Sequence, residues 1–274
     1  MFSSFMVNTW IVASIVAATA GLVGFFVVVR GASFAAHALP LSTFPGAAAA
    51  ALIGTNEIFG LVVFAGLGVI GIDVLSRRGR PEVATALTLV MLLGLGTLFL
   101  SQTREYSQEV YSLLFGQVLG ISAADVGPIT VVSALAAGGV LLLFRPLLLG
   151  SVSQDLAQAH GAVPRQVDLE FLVILAMASA VAVPVVGALL VFSLLVGPAA
   201  AARNLTDRPG VAMVLSMAIS LITVWVAIAL SYVTNWPVGF FVGGFGVVSY
   251  GVGHRARVLI TLPHSARTLL QSRQ

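Results

Sequence analysis

Apolar runs fill this chain, and short polar breaks separate them. A helix needs about 20 mainly apolar residues to cross ~30 Å of hydrocarbon. The pattern predicts such segments over 9–29, 33–54, 58–75, 83–100, 127–144, 211–233 and 238–252. The stretch 169–202 is too long for one crossing, and Pro184 lies near its middle. Read as two tight crossings, it brings the expected total to nine. The leader Met1-Phe2-Ser3-Ser4-Phe5-Met6 has no basic residue and runs straight into the first apolar segment. That reads as a retained membrane helix rather than a cleaved signal. The expectation is an all-α polytopic membrane protein, with residues 1–274 as a single transmembrane domain.

Charge sharpens the topology. Only 8% of the residues are charged and 59% are hydrophobic, against roughly 25% charged in a typical soluble domain. This excludes an ordinary soluble enzyme and a disordered chain, and the net charge of +3 is no nucleic-acid signature. All 13 basic residues are Arg. Threading nine spans puts every Arg except Arg104 on one side. The positive-inside rule makes that side cytoplasmic, with the amino terminus outside and the carboxyl terminus inside. The chain has no Cys, so thiolate metal ligands and thiol chemistry are excluded. No GxxxxGK[ST] occurs, so ATP-driven work needs another chain.

Two polar segments stand out. Residues 150–168 are predicted to contain a short helix from Gln154, capped by Ser153 and ended by Gly161 and Pro164. The loop 101–126 carries Tyr111-Ser112-Leu113-Leu114-Phe115-Gly116, an apolar run too short to cross and suited to a re-entrant or interfacial helix. Glycine and alanine runs such as Gly46–Ala51 and Gly197–Ala202 permit close helix contact or line a moving surface. Pro45, Pro184 and Pro198 are expected to break or kink their helices.

Few residues carry chemistry. His37 is the one His inside a predicted span. It reads either as a pathway residue, since intramembrane ionisable groups face the bundle interior, or as a structural hydrogen-bonding group. Asp73 is placed to pair with Arg77 at i,i+4. Glu57 either faces water or meets a docked protein or an incoming cation. Glu105 and Glu109 read as a solvated face or a cation-attracting one. Asn235-Trp236-Pro237 reads as a tight turn with an aromatic interface anchor.

Taken in order, these features resemble one family. Phe26-Val27-Val28-Val29-Arg30 leads to Ser33-Phe34-Ala35-Ala36-His37-Ala38-Leu39, and Tyr111–Ser122 comes next. Phe144-Arg145-Pro146-Leu147 then leads into Asp155-Leu156-Ala157-Gln158-Ala159-His160-Gly161. The most specific piece is Val186–Phe192 through Leu195–Arg203. Together they resemble the membrane permease of ABC-type importers for divalent zinc, manganese or ferrous iron, over nearly the whole chain.

The resemblance implies a multi-pass protein of a bacterial plasma (inner) membrane. It implies no cofactor bound by this chain, ATP consumed by a partner subunit, and a transported divalent metal. The implied partners are a cytoplasmic ABC ATPase dimer, an extracytoplasmic metal-binding protein and a second permease copy in membrane lipid, with no nucleic acid. Residues 150–168 would form the cytoplasmic coupling segment, in which Asp155, Leu156, Ala157, Gln158 and Ala159 meet the ATPase. Leu114 and Phe115 would lie at the external gate, and Glu105 and Glu109 would dock the binding protein. In the second span the family carries Asp or His, then His four residues later. In this chain His37 fills the first position and Leu41 the second. The metal then passes with few ligands, or another residue such as Glu57 or Asn235 contributes, or the substrate differs. An ion-coupled secondary transporter, a non-transporting assembly protein, and an importer of a vitamin, siderophore or other metal chelate are the alternatives.

Overall fold

In the computed structural model the described residues are 4–77, 79–102, 114–116, 121–159, 161 and 163–261. Their regular structure is helical: α1 (Ser4–Val29), α2 (Ser33–Ser42), α3 (Phe44–Ile53), α4 (Glu57–Ser76), α5 (Pro81–Leu100), α6 (Ala123–Leu142), α7 (Phe144–Val152), α8 (Gln154–Ala159), α9 (Pro164–Val186), α10 (Val191–Leu205), α11 (Pro209–Thr234) and α12 (Val238–Thr261). Starts and stops obey local chemistry. Pro81, Pro164 and Pro209 open α5, α9 and α11, where a missing N–H costs nothing because the first-turn donors have no intrahelical acceptor. Asn56 caps α4 by accepting from the Ile58 N–H at 2.9 Å.

The expected nine crossings are corrected to seven. Seven stretches of the described residues are long and apolar enough to span: Val7–Val29, Ser33–Ile53, α4, α5, α6, α9 and α11. Two predicted spans fall out, each for a physical reason. The stretch 169–202 does not split at Pro184. Helix α9 runs through that proline to Val186 and ends at Gly187, whose φ is 92°. Proline deletes a single N–H donor, whereas a backbone at this φ leaves the helical region altogether. The next helix, α10, has 15 residues. It is about 22 Å long at 1.5 Å per residue, too short to cross. The predicted span 238–252 lies in α12, where glycines alternate with apolar residues and His254 and Arg255 continue the same helix. The arginine threading that set the amino terminus outside and the carboxyl terminus and coupling helix in the cytoplasm used nine crossings, and it is withdrawn with them.

The span Ser33–Ile53 is itself broken. Thr43 stands between α2 and α3. Pro40 and Pro45 each remove a backbone donor there, and side chains recover part of the pairing. The Thr43 hydroxyl donates to the Pro40 carbonyl at 2.7 Å, and Ser42 donates to Ala38 at 2.8 Å. Both residues are buried.

Burial ranks the helices. In their most apolar windows, 72% of the residues in α1 and in α2–α3 and 67% in α9 are buried, against 33% in α4 and α5 and 22% in α6. Helix α1 packs on α6, α9, α10 and α11, and α10 packs on α1, α11 and α12. Small residues set these distances. Gly24 faces the Leu195 carbonyl, Gly197 faces Gly246, and Gly253 faces Ala201. The Ser216 hydroxyl on α11 donates to the Gly21 carbonyl on α1 at 2.6 Å. Outward, α4 exposes Val63, Leu67, Ile70 and Val74, and α5 exposes Leu87, Val90, Met91 and Leu98. Such apolar rows are what hydrocarbon solvates.

Candidate functional site: a broken-helix pathway

His37 lies one turn into α2, which packs against α5, α9 and α10. Its ring is half-buried and meets Phe192 of α10 edge-on, with centroids 5.5 Å apart. Leu41, one turn on, is 8% exposed. It presents hydrocarbon where a second ligand would stand.

Glu57 is exposed and opens α4, beyond the far end of α3. Helical rise over the 16 steps from His37 to Ile53, where α3 ends, puts His37 and Glu57 on the order of 20 Å apart. They do not form one site. Asn235 holds a left-handed turn after α11, with φ 57°, and Ser231 donates to the Trp236 carbonyl at 2.6 Å across it. Among the described residues no three His, Asp or Glu come together to hold a metal.

Glu57 has polar company on its own end of the bundle. Asn56 donates to Asp125 at 3.4 Å. Asp125 also accepts from the backbone N–H and the hydroxyl of Ser122, at 3.1 and 2.7 Å, which fixes the start of α6. The acidic group at this end is therefore ordered by helix capping.

The second expected element, Leu114 and Phe115, is placed by glycines. Leu114 is half-buried and Phe115 is 36% exposed. The Leu114 carbonyl accepts from the Leu189 N–H at 3.3 Å. A Cβ on Gly187 would lie 2.4 Å from that same carbonyl oxygen, and one on Gly116 would lie 2.6 Å from the carbonyl carbon of Val186. Gly239, in the first turn of α12, faces Leu190 and the Phe115 carbonyl. Three glycines thus let residues 114–116 seat on the α9–α10 break. Sequence reasoning missed this junction. Its signal was Gly187 three residues after Pro184, ahead of a run with no other breaker until Gly197.

The short helix expected in 150–168 is present as α8, Gln154–Ala159. Ser153 is extended before it, and Gly161 comes after it at φ 81°. Asp155, Gln158 and Ala159 are exposed, and Leu156 and Ala157 lie on the same six-residue helix. Glu105 and Glu109 lie outside the described residues.

Asp73 pairs with Arg77 at 2.9 Å as its spacing predicts, and also with Arg165 of α9 at 3.0 Å. A tie the sequence did not reveal joins Arg30, at the end of α1, to Asp168 in α9. Their sequence separation of 138 hid it.

The model of the ABC 3 transport family matches residues 2–243. The chain belongs to that family. It is 26% identical over 238 residues to the manganese transport system membrane protein MntC of Listeria monocytogenes, covering 86% of this chain and 85% of that one. It is 29% identical over 237 residues to the manganese import system permease protein ScaB of Streptococcus parasanguinis, covering 86% and 84%. In three dimensions it is similar to PsaBC from Streptococcus pneumoniae, solved in complex with Fab. The TM-score is 0.82 and the identity 24%, with 92% of this chain and 91% of that chain covered. That likeness establishes a shared fold. In this chain the α9–α10 break at Gly187 takes the backbone out of helical geometry inside the bundle. Between α2 and α3, Thr43 keeps helical dihedrals (φ −79°, ψ −20°), and only the regular hydrogen-bond ladder is interrupted. Such breaks are tolerated where protein or a water-filled cavity surrounds them, and transporters put their pathways there.

Proposed function

We propose that this chain is the permease subunit of an ATP-driven importer of divalent transition-metal ions, with manganese as the favoured cargo. It is a multi-pass protein of a bacterial plasma membrane. A separate ABC ATPase pair powers it, an extracytoplasmic metal-binding protein feeds it, and a second permease copy completes it. The observation that carries this reading is membership of the ABC 3 transport family across residues 2–243, joined to manganese transport in the names of relatives that align over 86% of the chain. The absence of a nucleotide-binding motif from the sequence assigns ATP hydrolysis to the partner.

The residues take roles accordingly. Residues 1–274 form one permease domain. Residues 150–168 are its coupling segment, and α8 seats on the ATPase. Leu114 and Phe115 form the external gate over the α9–α10 break. Glu57, Glu105 and Glu109 receive the binding protein. His37 offers the passing ion a neutral imidazole, a good donor for such metals. With Leu41 beside it the ion keeps most of its water or protein-carbonyl shell, which favours release over retention.

Uptake of radioactive manganese into proteoliposomes, with ATPase and binding protein supplied, tests the reading. Uptake is expected to require ATP on the ATPase side. Uptake that tracks a proton or sodium gradient without ATP would refute it. His37→Ala is expected to lower uptake about tenfold, the 1.4 kcal/mol scale of one lost interaction, and wild-type uptake would remove His37 from the pathway. Gln158→Pro breaks α8, since an interior proline costs ~3 kcal/mol. Uptake and transport-linked ATP hydrolysis are expected to vanish while the chain still inserts. Retention of coupled uptake would remove α8 from the coupling role.

A further inference from the structure

Two ionic ties hold the first turns of α9, and they differ in kind. Arg165 and Arg77 both reach Asp73 of α4, but their side chains are 60% and 56% exposed. Water and salt screen that tie. The Arg30 side chain is only 10% exposed. One of its terminal nitrogens donates to Asp168, and the other donates to the Leu147 carbonyl at 3.0 Å. Its guanidinium carbon lies 5.4 Å from the centroid of the Phe171 ring. A single side chain at the end of α1 therefore holds the backbone of α7 and two residues of α9 one turn apart. A planar fork of fixed geometry suits this, because it serves separate acceptors at once.

The surroundings support the arrangement. A Cβ at Gly150 would lie 3.3 Å from the Arg30 terminal nitrogen, so glycine lets α7 close over the guanidinium. Leu147 and Phe171 are buried, which anchors the acceptor carbonyl and the ring. Beside the pair a cavity of about 260 Å³, lined by Arg30, Pro146, Ser151, Pro164 and Asp168, gives α7 room to shift against α9.

The connectivity gives this contact a consequence. Only Ser153 separates α7 from α8, so a displacement of α8 reaches α7 directly. Helix α9 runs unbroken for 23 residues, about 34 Å at helical rise, and ends at Gly187 beneath residues 114–116. We infer that Arg30 is a positioning residue that locks α7 to α9, so that movement of α8 is delivered to the α9–α10 break. The inference rests on the coupling role of α8 proposed above. It requires no contact between Arg30 and the metal.

The test measures manganese ions moved per ATP hydrolysed by the full reconstituted transporter, together with the thermal midpoint of the permease. In Arg30→Gln the ratio is expected to fall at least tenfold while ATP hydrolysis stays within twofold of wild type. Arg30→Lys, which keeps the charge and reaches one acceptor at a time, is expected to restore part of the ratio. Asp168→Asn removes the carboxylate from a half-exposed position and serves if Arg30→Gln fails to accumulate. About a threefold fall is expected there. A wild-type ratio in Arg30→Gln or Asp168→Asn overturns the inference. So does a parallel loss of uptake and hydrolysis with a lowered midpoint, because that marks a purely structural residue. If the wild type itself shows no ATP-dependent uptake, the functional reading falls and takes the inference with it. Normal wild-type coupling with indifferent variants sinks the inference alone.

Discussion

Gly24→Val is expected to destabilise the bundle severely. A Cβ at this position would lie 2.0 Å from the Leu195 carbonyl oxygen and 3.1 Å from its Cα. Those are backbone atoms of α10, so no rotamer change relieves the clash. Helices α1 and α10 have to separate, and the contact includes the fully buried Phe25, Leu194 and Leu195. Overpacking of this kind costs about 3 kcal/mol or more. The measurement is the thermal midpoint in detergent, or the folded yield if the variant does not accumulate. Gly66→Ala is the control. It lies in α4 with nothing within 4 Å of an added Cβ, and alanine is the better helix former by about 1 kcal/mol. Its midpoint should stay level or rise. Equal effects of the two substitutions would mean that the α1–α10 contact is looser than its backbone distances imply.

Gly187→Ala is expected to abolish transport while sparing most of the fold. Gly187 has φ 92° and ψ 144°, a region that only glycine occupies readily, and strain there is of order 1–3 kcal/mol. Its Cβ would also stand 2.4 Å from the Leu114 carbonyl oxygen and from the Phe115 carbonyl carbon. The added methyl dislodges residues 114–116 from the α9–α10 break. The chain has no Cys, so a single Phe115→Cys change gives a clean reporter. Thiol labelling from the aqueous side should be faster with Gly187→Ala than without it, and manganese uptake should fall to background. Unchanged labelling and uptake together would detach this junction from gating.

The chemistry of the candidate site is partly legible in the sequence. His37 and the Leu41 one turn later are visible as residue types, and the structure adds only the edge contact with Phe192. The six-residue α8 announces itself through Ser153, Gly161 and Pro164, which are local signals. The junction at Gly187 is not legible in the same way. A glycine in an apolar run reads equally as tight packing or as a break, and φ decides between them. Pro184 draws the boundary to the wrong residue because a proline within a long helix can be accommodated by the packing around it. Glu57 reads from the sequence as a second metal contact beside His37. The length of the α2–α3 span keeps the two apart, a distance that composition cannot express.

Hydrophobic pattern and charge scarcity alone determined that the chain lives in a membrane as a helical bundle, because each apolar segment meets its solvent requirement independently of the others. The same is true of the ion pair between Asp73 and Arg77, which are one helical turn apart. The number of full crossings was decided by tertiary structure. Neighbouring helices shelter the short α10, most of whose residues are buried or half-buried, so it does not have to meet the length that a segment facing lipid alone requires. Helix α12, by contrast, exposes Phe240, Val247, Val248 and Val252 and falls short through its glycines, His254 and Arg255. Only the packed bundle brings Arg30 to Asp168 and Gly187 to Leu114. Those contacts join residues far apart in the chain, and their energies exist only once the helices between them have folded against one another.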